Sequence, residues 1–383
     1  MGDGGSDPFE AEGTIGIEEE FFLVDEDGRP LGGTDELCYA HDPPEILTDR
    51  LDHELFTFVI ETQTPVIADL ASAPATLSAV RDALVGYAAD HGYRVAAAGL
   101  HPTANWRDLE HVSKPRYRRQ LDRIQYPQHR NTTAGLHVHI GVGDGDRAVW
   151  VADEIRWYLP LILALSANSP YWCGFDTGLA SARACVFESL PNTGMPAAYG
   201  TLDRYADLEA AMLETGSISD RGEIWYDVRP HTAYGTVEVR TPDAQRDEWR
   251  VLALVEYVHR LVETLAEAHR RLADGADREV VLADAHAPWA DPTRATRPAA
   301  DRLEVLVENK WRAMRHGRDA DVIARAATDA IDVETAARAE VDRLGLDRLP
   351  ALLDARGGAE RLRAARADGG APRVREAIIL EAP

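Results

Sequence analysis

Apolar and polar residues alternate along several short segments in the first two thirds of the chain, and these segments are rich in β-branched and aromatic residues. An alternation with period two is typical of a strand that buries one of its faces. The pattern predicts strands over residues 14–24, 55–66, 93–100, 135–142, 223–230 and 234–243, of which the last two are joined by a turn.

Other segments repeat their apolar residues with a helical period. This period predicts a helix over residues 75–92, which ends at a glycine, and another over about 246–273. Residues 146–170 begin at Asp146, a favourable N-cap, and predict one long, largely buried helix with a kink at Pro160. Beyond residue 300 the pattern is helical to about 367, and residues 376–380 are strand-like.

The half-exposed strands favour an α+β fold, in which a mainly antiparallel or mixed sheet carries helices on one face. A length of 383 residues fits one large catalytic domain or two closely packed ones. Four parts are expected along the chain. They are a disordered acidic head (1–12), a core of sheet and helices (13–274), a linker-like segment rich in Ala, Asp and Pro (275–300), and a helical C-terminal part packed on the same core (301–383).

The charge balance excludes one class of partner. The chain has 41 basic and 65 acidic side chains, a net charge of −24, and Lys114 and Lys310 are its two lysines. Nucleic-acid binding needs a basic face, so it is not expected. Dense carboxylates with little lysine indicate adaptation to a high-salt cytoplasm. The chain lacks a long apolar run and a basic, apolar N-terminal signal, which predicts a cytoplasmic protein without a membrane segment.

Candidate chemistry emerges when strand geometry is applied to the charged residues. Side chains at positions i and i+2 of a strand share a face. This rule places a polar face on each of four predicted strands, carrying Glu18 and Glu20, Glu61, His137 and His139, and Glu238 and Arg240. Polar faces that converge would form a concave cation site. Glu19 points the opposite way and is expected in an ion pair.

Carboxylates and imidazoles without paired cysteines favour Mg²⁺ or Mn²⁺, and such ions neutralise nucleotide phosphates. The chain contains neither a G-x-x-x-x-G-K-[ST] motif nor a G-x-S-x-G motif. A bound nucleotide would therefore be held by metals and arginines. The candidates are Arg183 in a glycine-rich segment, Arg229 on a strand face with Trp225 and Asp227, and Arg240 on the face of Glu238. A guanidinium can hold a carboxylate or a phosphate through two parallel hydrogen bonds.

A set of motifs between about residues 14 and 318 resembles one family of enzymes. The motifs are, in order, GIEEEFFLV, ETQTPV, GLHPTANW, LHVHIGV, ALSANSPYWCGFDTGLASAR, WYDVRP, GTVEVR and ENKWRAMRHG. Together they resemble the carboxylate-amine ligases that include the type 2 glutamate-cysteine ligases, in the form found in halophilic archaea. The resemblance implies a fold similar to the catalytic domain of glutamine synthetase, with a curved, mainly antiparallel sheet.

The resemblance also implies an activity. ATP would phosphorylate the γ-carboxylate of glutamate with the help of Mg²⁺ or Mn²⁺, and the amine of cysteine would attack the acyl phosphate to give γ-glutamylcysteine. Its implied metal ligands are Glu18, Glu20, Glu61, His137 and Glu238, with His139 alongside them. Arg240 would meet the transferring phosphate, Arg183 and Arg229 would bind substrate, and Asn309, Trp311 and Arg315 lie in a motif near the nucleotide of relatives.

Three alternatives remain open from the residues. The chain could join a carboxylate to an amine other than cysteine, since a few pocket residues decide the acceptor. It could be a metal-dependent hydrolase whose histidines and glutamates activate water, which would need no ATP. It could also be a binding protein of the same fold without turnover. The oligomeric state is open, and a homo-oligomer is compatible with the sequence.

Overall fold

The computed structural model describes residues 8–286, 302–325 and 330–381. The strands are β1 Glu12–Val24, β2 Leu51–His53, β3 Val59–Gln63, β4 Arg94–Ala96, β5 Leu136–Val142, β6 Tyr171–Trp172, β7 Phe175–Asp176, β8 Thr193–Gly194, β9 Trp225–Tyr226, β10 Val228–His231, β11 Thr236–Val239, β12 Asp321–Ile323 and β13 Ala330–Asp332. The helices are α1 Ala73–Asp90, α2 Pro115–Ile124, α3 Tyr126–His129, α4 Gly145–Ile155, α5 Leu159–Ser166, α6 Ala182–Phe187, α7 Leu202–Glu214, α8 Glu248–Ala273, α9 Arg278–Ala285, α10 Leu303–His316, α11 Val333–Leu344, α12 Leu349–Asp354 and α13 Gly358–Glu376.

One seven-stranded sheet organises the described residues. Its strands follow the order β10-β11-β5-β1-β3-β2, and β4 pairs with β1 beside this path. Every pairing in the sheet is antiparallel. Because β1 is 13 residues long, it can pair with three strands along its length. The predicted α+β class, with a mainly antiparallel sheet, is confirmed.

The apolar face of the sheet lies against helices. Ile17, Val138 and Val237 are fully or almost fully buried and belong to one core cluster with residues of α4, α5 and α8. The C-terminal helices add Leu306 and Leu352 to the same cluster. The period-two pattern therefore separates the two faces of the sheet, and it leaves the opposite face of these strands to the polar side chains.

Glu19 forms the ion pair that the strand pattern predicts. Its carboxylate accepts hydrogen bonds of 2.8 and 2.6 Å from the guanidinium of Arg81 on α1, and both side chains are buried. The Nη1 atom of Arg81 donates to the backbone oxygen of Arg246, and Nη2, which also binds Glu19, donates to that of Gln245. A buried carboxylate is tolerated here because a guanidinium meets it directly.

The single helix predicted over residues 146–170 is wrong. The structure has α4 and α5, separated at Arg156 to Tyr158, and Pro160 occupies the first turn of α5 rather than kinking one long helix. The N-cap is Asp144, whose side chain accepts from the backbone N–H of Arg147 at 2.7 Å, and not Asp146. A proline is tolerated in a first turn because that turn's N–H groups lack helical acceptors.

Other predicted boundaries also need correction. Residues 8–12 of the predicted disordered head form a short 3-10 helix and the start of β1, with Phe9 buried, and residues 1–7 lie outside the described residues. The predicted linker contains α9, while residues 287–300 lie outside the description. Residues 376–380 form no strand: α13 ends at Glu376, and Ile379 makes an isolated bridge to Ala96.

Candidate active site

The registers of the central strands bring the predicted polar faces together. Facing residues of neighbouring strands alternate between the two sides of a sheet, so one pairing fixes which side chains meet. The Cα partners across β1, β3, β5 and β11 are Glu18 with His137, Glu20 with Glu61, and Glu238 with His139. The convergence that strand parity predicts is therefore present.

His137 lies at the centre of this cluster. Its Nδ1 atom is 3.2 Å from Oε2 of Glu18, and its Nε2 atom is 3.8 Å from Oε1 of Glu20. His139, two positions along β5, has Nε2 at 3.4 Å from Oε1 of Glu18. Both imidazoles are buried. The imidazoles of one strand and the carboxylates of another thus share a single concave surface.

Two groups of side chains in the cluster could hold a cation. The first ligand group is Glu18, His137 and Glu238, and the second is Glu20, Glu61 and His137; within each, one donor atom per residue lies within 4.8 Å of the others. Oxygen donors with one imidazole are a set that Mg²⁺ or Mn²⁺ accepts. Because His137 belongs to both groups, the donor sets are adjacent.

Two arginines flank the first ligand group. The carboxylate of Glu238 accepts short hydrogen bonds from Nε of Arg229 and from Nη1 of Arg240. Burial alone would raise the pKa of Glu238, but the charges of Arg229 and Arg240 outweigh it and hold that pKa well below its usual value. The Nε–H of Arg240 is buried without a hydrogen-bond partner. It is therefore a donor available to a ligand.

The second ligand group has the opposite electrostatic character. Burial, together with the nearby charges of Glu18, Glu54 and Glu20, raises the pKa of Glu61 well above its usual value. Burial and the charge of Glu20 raise the pKa of Glu54 to about 8. The charges of Arg116 and Arg240 lower the pKa of Glu54 but do not outweigh burial and the neighbouring carboxyls. Crowding of this kind is the condition that a divalent cation relieves.

The two histidines differ in their electrostatic surroundings. Burial and the charge of Arg240 lower the pKa of His137, which favours the neutral imidazole that a metal ion requires. Burial also opposes the charged form of His139, but Glu18 and Glu238 outweigh it and raise the pKa of this residue. The Nδ1 atom of His139 lies 3.0 Å from the hydroxyl of Thr236.

A cavity of about 280 Å³ opens over the cluster. The predicted site residues that line it are Glu18, Glu20, Glu61, His137, Arg229 and Arg240. Glu238 and His139 do not line it and lie beneath the cavity wall, within reach of the lining residues. Although Glu238 belongs to the first ligand group, its burial and its two arginine partners make it first of all an anchor for those arginines.

Arg183 is not placed on the cavity wall. Its side chain is buried, and its guanidinium donates to the backbone oxygens of Thr241 at 3.1 Å and Arg240 at 3.2 Å. It also lies 4.0 Å from Asp243. Arg183 is therefore not a lining residue, but it lies directly behind Arg240 and holds the backbone of that lining residue in place.

The three residues predicted near the nucleotide lie on α10, away from the cavity lining. Asn309 exchanges hydrogen bonds of 2.9 and 2.7 Å with the backbone of Ile323. Trp311 is exposed, and Arg315 donates to the backbone oxygen of Gly178. Lys310, between them, is buried and lies 2.5 Å from both Asp227 and Glu188.

Several lining residues are absent from the sequence prediction. They include Glu54, Tyr117, Gln128, Asn131, His231 and Tyr234. Glu54 lies in the turn between β2 and β3, where strand parity does not apply, and Gln128 and Asn131 lie in or just after a four-residue helix with no periodicity to read. The parity rule could have found His231, which continues the face of Arg229 along β10, and Gln63, a further lining residue two positions after Glu61 on β3.

Among the described residues, no helix combines the length and the apolar character needed to cross a membrane.

Comparisons with known proteins agree with one another. A family model described as glutamate-cysteine ligase family 2 matches residues 14–365. Proteins named glutamate-cysteine ligase from Haloquadratum walsbyi and Haloferax volcanii are each 55% identical to the chain, over 99% of it and over 98% and 99% of their own lengths. A crystal structure of glutamate-cysteine ligase from Francisella tularensis in complex with AMP has a TM-score of 0.63 at 12% identity, covering 95% of this chain and 87% of that one. At that identity the likeness establishes a shared fold.

Proposed function

Because the chain belongs to glutamate-cysteine ligase family 2, we propose that it is an ATP-dependent ligase that joins the γ-carboxylate of glutamate to the amine of cysteine. The reaction passes through γ-glutamyl phosphate and releases ADP and phosphate. The observation that carries the proposal is the juxtaposition of Glu18, Glu20, Glu61 and His137 with Arg229 and Arg240 in one cavity. The full-length identity to proteins named glutamate-cysteine ligase supports the choice of substrates.

Glutamate phosphorylation requires that several negative charges come together. A carboxylate attacks a polyphosphate only if the site offsets the repulsion between them and holds them in line. The crowded carboxyls of Glu54 and Glu61, whose pKa values are raised, support a site that is completed by cations. Divalent ions bound there would neutralise the phosphates and polarise the transferring group.

The residues proposed to hold those ions are Glu18, Glu20, Glu61 and His137, which line the cavity, with Glu238 reaching the first ligand group from beneath and His139 beside it. Their donor set fits Mg²⁺ or Mn²⁺. The low pKa of Glu18 favours its ionised form: burial opposes ionisation, but His139 and His137 outweigh that effect. His137 is held neutral, as a ligand must be.

The proposed role of Arg240 is to contact the transferring phosphoryl group. Its Nη1 is bound by Glu238, which leaves the unpartnered Nε–H as a preorganised donor. Hydrogen bonds to Glu238 and, at 2.7 Å, to the backbone oxygen of Ile224 hold the guanidinium of Arg229 in place, so it need not reorient when substrate binds. No protein nucleophile is needed, because the phosphorylated glutamate is itself the activated intermediate.

The test is phosphate release from ATP in molar KCl with Mg²⁺, measured with glutamate alone, with glutamate and cysteine, and with glutamate and a panel of other amines. Mass spectrometry would identify the products. We expect release that depends on glutamate and cysteine together, with γ-glutamylcysteine formed. Turnover only with another amine would contradict cysteine as the acceptor. Hydrolysis of a substrate in the absence of ATP would contradict the ligase activity.

A further inference from the structure

One wall of the cavity carries neutral amides and a hydroxyl beside one arginine, in contrast to the acidic sheet. It is built by α2, α3 and the residues that follow, with Arg116, Gln120, Gln128, Asn131 and Thr133 among its lining residues. Gln120 and Gln128 are 2% and 3% exposed, so their amides must be satisfied by the protein or by a ligand. These amides form a chain that starts at Glu223.

The direction of that chain is fixed by its first member. Glu223 is fully buried, and its Oε2 accepts hydrogen bonds from the guanidinium of Arg123 and from the backbone N–H of Ser219, so its carboxyl acts as an acceptor here. Gln120 must therefore present its amide nitrogen, which donates to Glu223 at 3.1 Å. The oxygen of Gln120 then accepts from the amide nitrogen of Gln128 at 3.2 Å.

The chain ends on an acceptor without a donor. With its nitrogen committed to Gln120, Gln128 is left with Oε1, which is buried and has no hydrogen-bond partner. A buried carbonyl oxygen without a donor costs free energy that a bound N–H group would recover. The group that satisfies this oxygen must be a hydrogen-bond donor, and a positively charged N–H group such as an ammonium forms the strongest bond of this kind.

The neighbouring amide has the opposite orientation. The backbone N–H of Asn131 donates to the backbone oxygen of Gln128 at 3.1 Å, so the two residues lie on one turn. The hydroxyl of Thr133 donates to Oδ1 of Asn131 at 2.9 Å, and this leaves the amide nitrogen of Asn131 as a donor at the cavity. An acceptor and a donor on one turn match the ammonium and carboxylate of an α-amino acid.

We propose that Gln128 binds the ammonium and Asn131 binds the carboxylate of an amino-acid substrate. The amide chain that begins at Glu223 orients Gln128, and Thr133 orients Asn131. The inference rests on the proposed function for the identity of the amino acids. Glutamate and cysteine carry the same pair of groups, and the experiment distinguishes between them.

The test uses the full chain in molar KCl with Mg²⁺ and compares wild type, Gln128→Leu and Asn131→Asp. Gln125→Leu serves as the matched control, because this exposed amide lies three positions earlier and does not line the cavity. For each protein, the KM values of glutamate, cysteine and ATP are measured, and titration calorimetry gives the Kd values of glutamate and cysteine.

We expect Gln128→Leu to weaken binding of one amino acid by about tenfold to a hundredfold, the usual effect of losing a hydrogen bond to a charged group, with the KM of ATP within twofold. Asn131→Asp should weaken the same amino acid, because a carboxylate would repel a carboxylate. If that amino acid is glutamate, Gln128→Leu should also narrow the preference for glutamate over glutarate by the same factor. An effect on cysteine alone would assign the pair to the acceptor.

Unchanged KM and Kd values for both amino acids in Gln128→Leu would overturn the proposal. If Gln128→Leu fails to fold, as judged by circular dichroism, Asn131→Asp decides alone. A wild-type protein that shows no glutamate-dependent ATP turnover would instead reject the proposed ligase, and the calorimetric comparison would still decide whether the amide pair binds an amino acid.

Discussion

The Nδ1 atom of His137 lies 3.2 Å from Oε2 of Glu18, although 119 residues separate the two along the chain. Glu18 also lies 3.4 Å from His139 and lines the cavity, so its carboxylate contacts both imidazoles of the candidate metal site. The two strands that carry these residues are neighbours in the centre of the sheet. The site thus depends on the register of β1 against β5.

Replacing Glu18 by glutamine should abolish metal-dependent ATP turnover while the fold remains intact. Glutamine keeps the size of the side chain but removes the charge that faces the cation, and we expect at least a hundredfold loss of kcat/KM. Phosphate release and circular dichroism measure the two effects. The matched control is Glu26→Gln, on the exposed loop after β1. Activity retained in Glu18→Gln would remove Glu18 from the site.

Arg240→Lys should lower kcat by roughly a hundredfold to a thousandfold, the range seen when one preorganised donor to a developing charge is lost. Lysine keeps the positive charge but cannot bind Glu238 and present a second donor at the position of Nε. Single-turnover ATP consumption in the presence of glutamate measures the chemical step. Arg29→Lys, at an exposed position, is the control. A raised KM of ATP with an unchanged kcat would mean instead that Arg240 binds ATP equally strongly in the ground state and in the transition state.

The crowded carboxyls predict a pH dependence of stability in the absence of divalent ions. The pKa of Glu54 rises from an ordinary 4.5 to about 8 on folding, so the folded state binds more protons between these values, and stability should fall as pH rises from about 4.5 to 8. Glu54→Gln should remove roughly 1 to 4 kcal/mol of that fall. Urea unfolding with a chelator at several pH values measures it.

Adding Mg²⁺ should stabilise the wild type more at pH 8 than at pH 5, because the cation competes with protons for the same carboxyls. If the chelated wild type and Glu54→Gln showed the same dependence of unfolding free energy on pH, the raised pKa of Glu54 would be contradicted. Gln63→Glu, adjacent to Glu61, should steepen the pH dependence, since it adds a further carboxylate to the crowded side.

Lys310→Met should destabilise the protein by about 3–5 kcal/mol, because it leaves the buried carboxylate of Asp227 without its cation, whereas its other partner, Glu188, is exposed to water. Guanidinium unfolding at constant high salt measures the change. The chain supplies its own control in Lys114, the second lysine, which is partly exposed, donates to the hydroxyl of Tyr39 and lies 3.9 Å from the exposed Asp52. Lys114→Met should stay within about 1 kcal/mol of wild type. Equal effects of the two substitutions would contradict the prediction.

The net charge of −24 predicts a salt requirement. Self-repulsion among exposed carboxylates destabilises the compact state, and salt at molar concentration screens it. Circular dichroism should therefore show unfolding at low ionic strength and recovery in molar KCl. A fold that is indifferent to salt would contradict this reading of the acidic surface.

The sequence predicts the acidic half of the site well, for a physical reason. Glu18, Glu61 and His137 belong to strands, where a period of two assigns every side chain to a face and where antiparallel pairing then brings the faces together. Glu54 escapes this logic because it lies in a turn, although its carboxyl is among the most perturbed of the cluster.

Residues that satisfy the backbone are harder to interpret from a motif. Arg183 and Asn309 both lie in motifs that resemble those of the family, yet the side chain of each forms hydrogen bonds with backbone groups of a neighbouring segment. A sequence pattern records that a side chain is required, and it does not distinguish contact with substrate from support of the residue that makes contact. The amide chain from Glu223 to Gln128 has no sequence signature, because its members become neighbours only after folding.

The position of β1 between β5 and β3 also affects how the chain folds during synthesis. β1 leaves the ribosome with its row of glutamates long before β5 and β11 supply the imidazoles and arginines that surround them. During that interval the strand lacks its β5 neighbour, and its carboxylates stay in water. The nascent chain therefore carries a strand with one open, acidic edge, and that charge keeps the edge from pairing with other chains before β5 emerges.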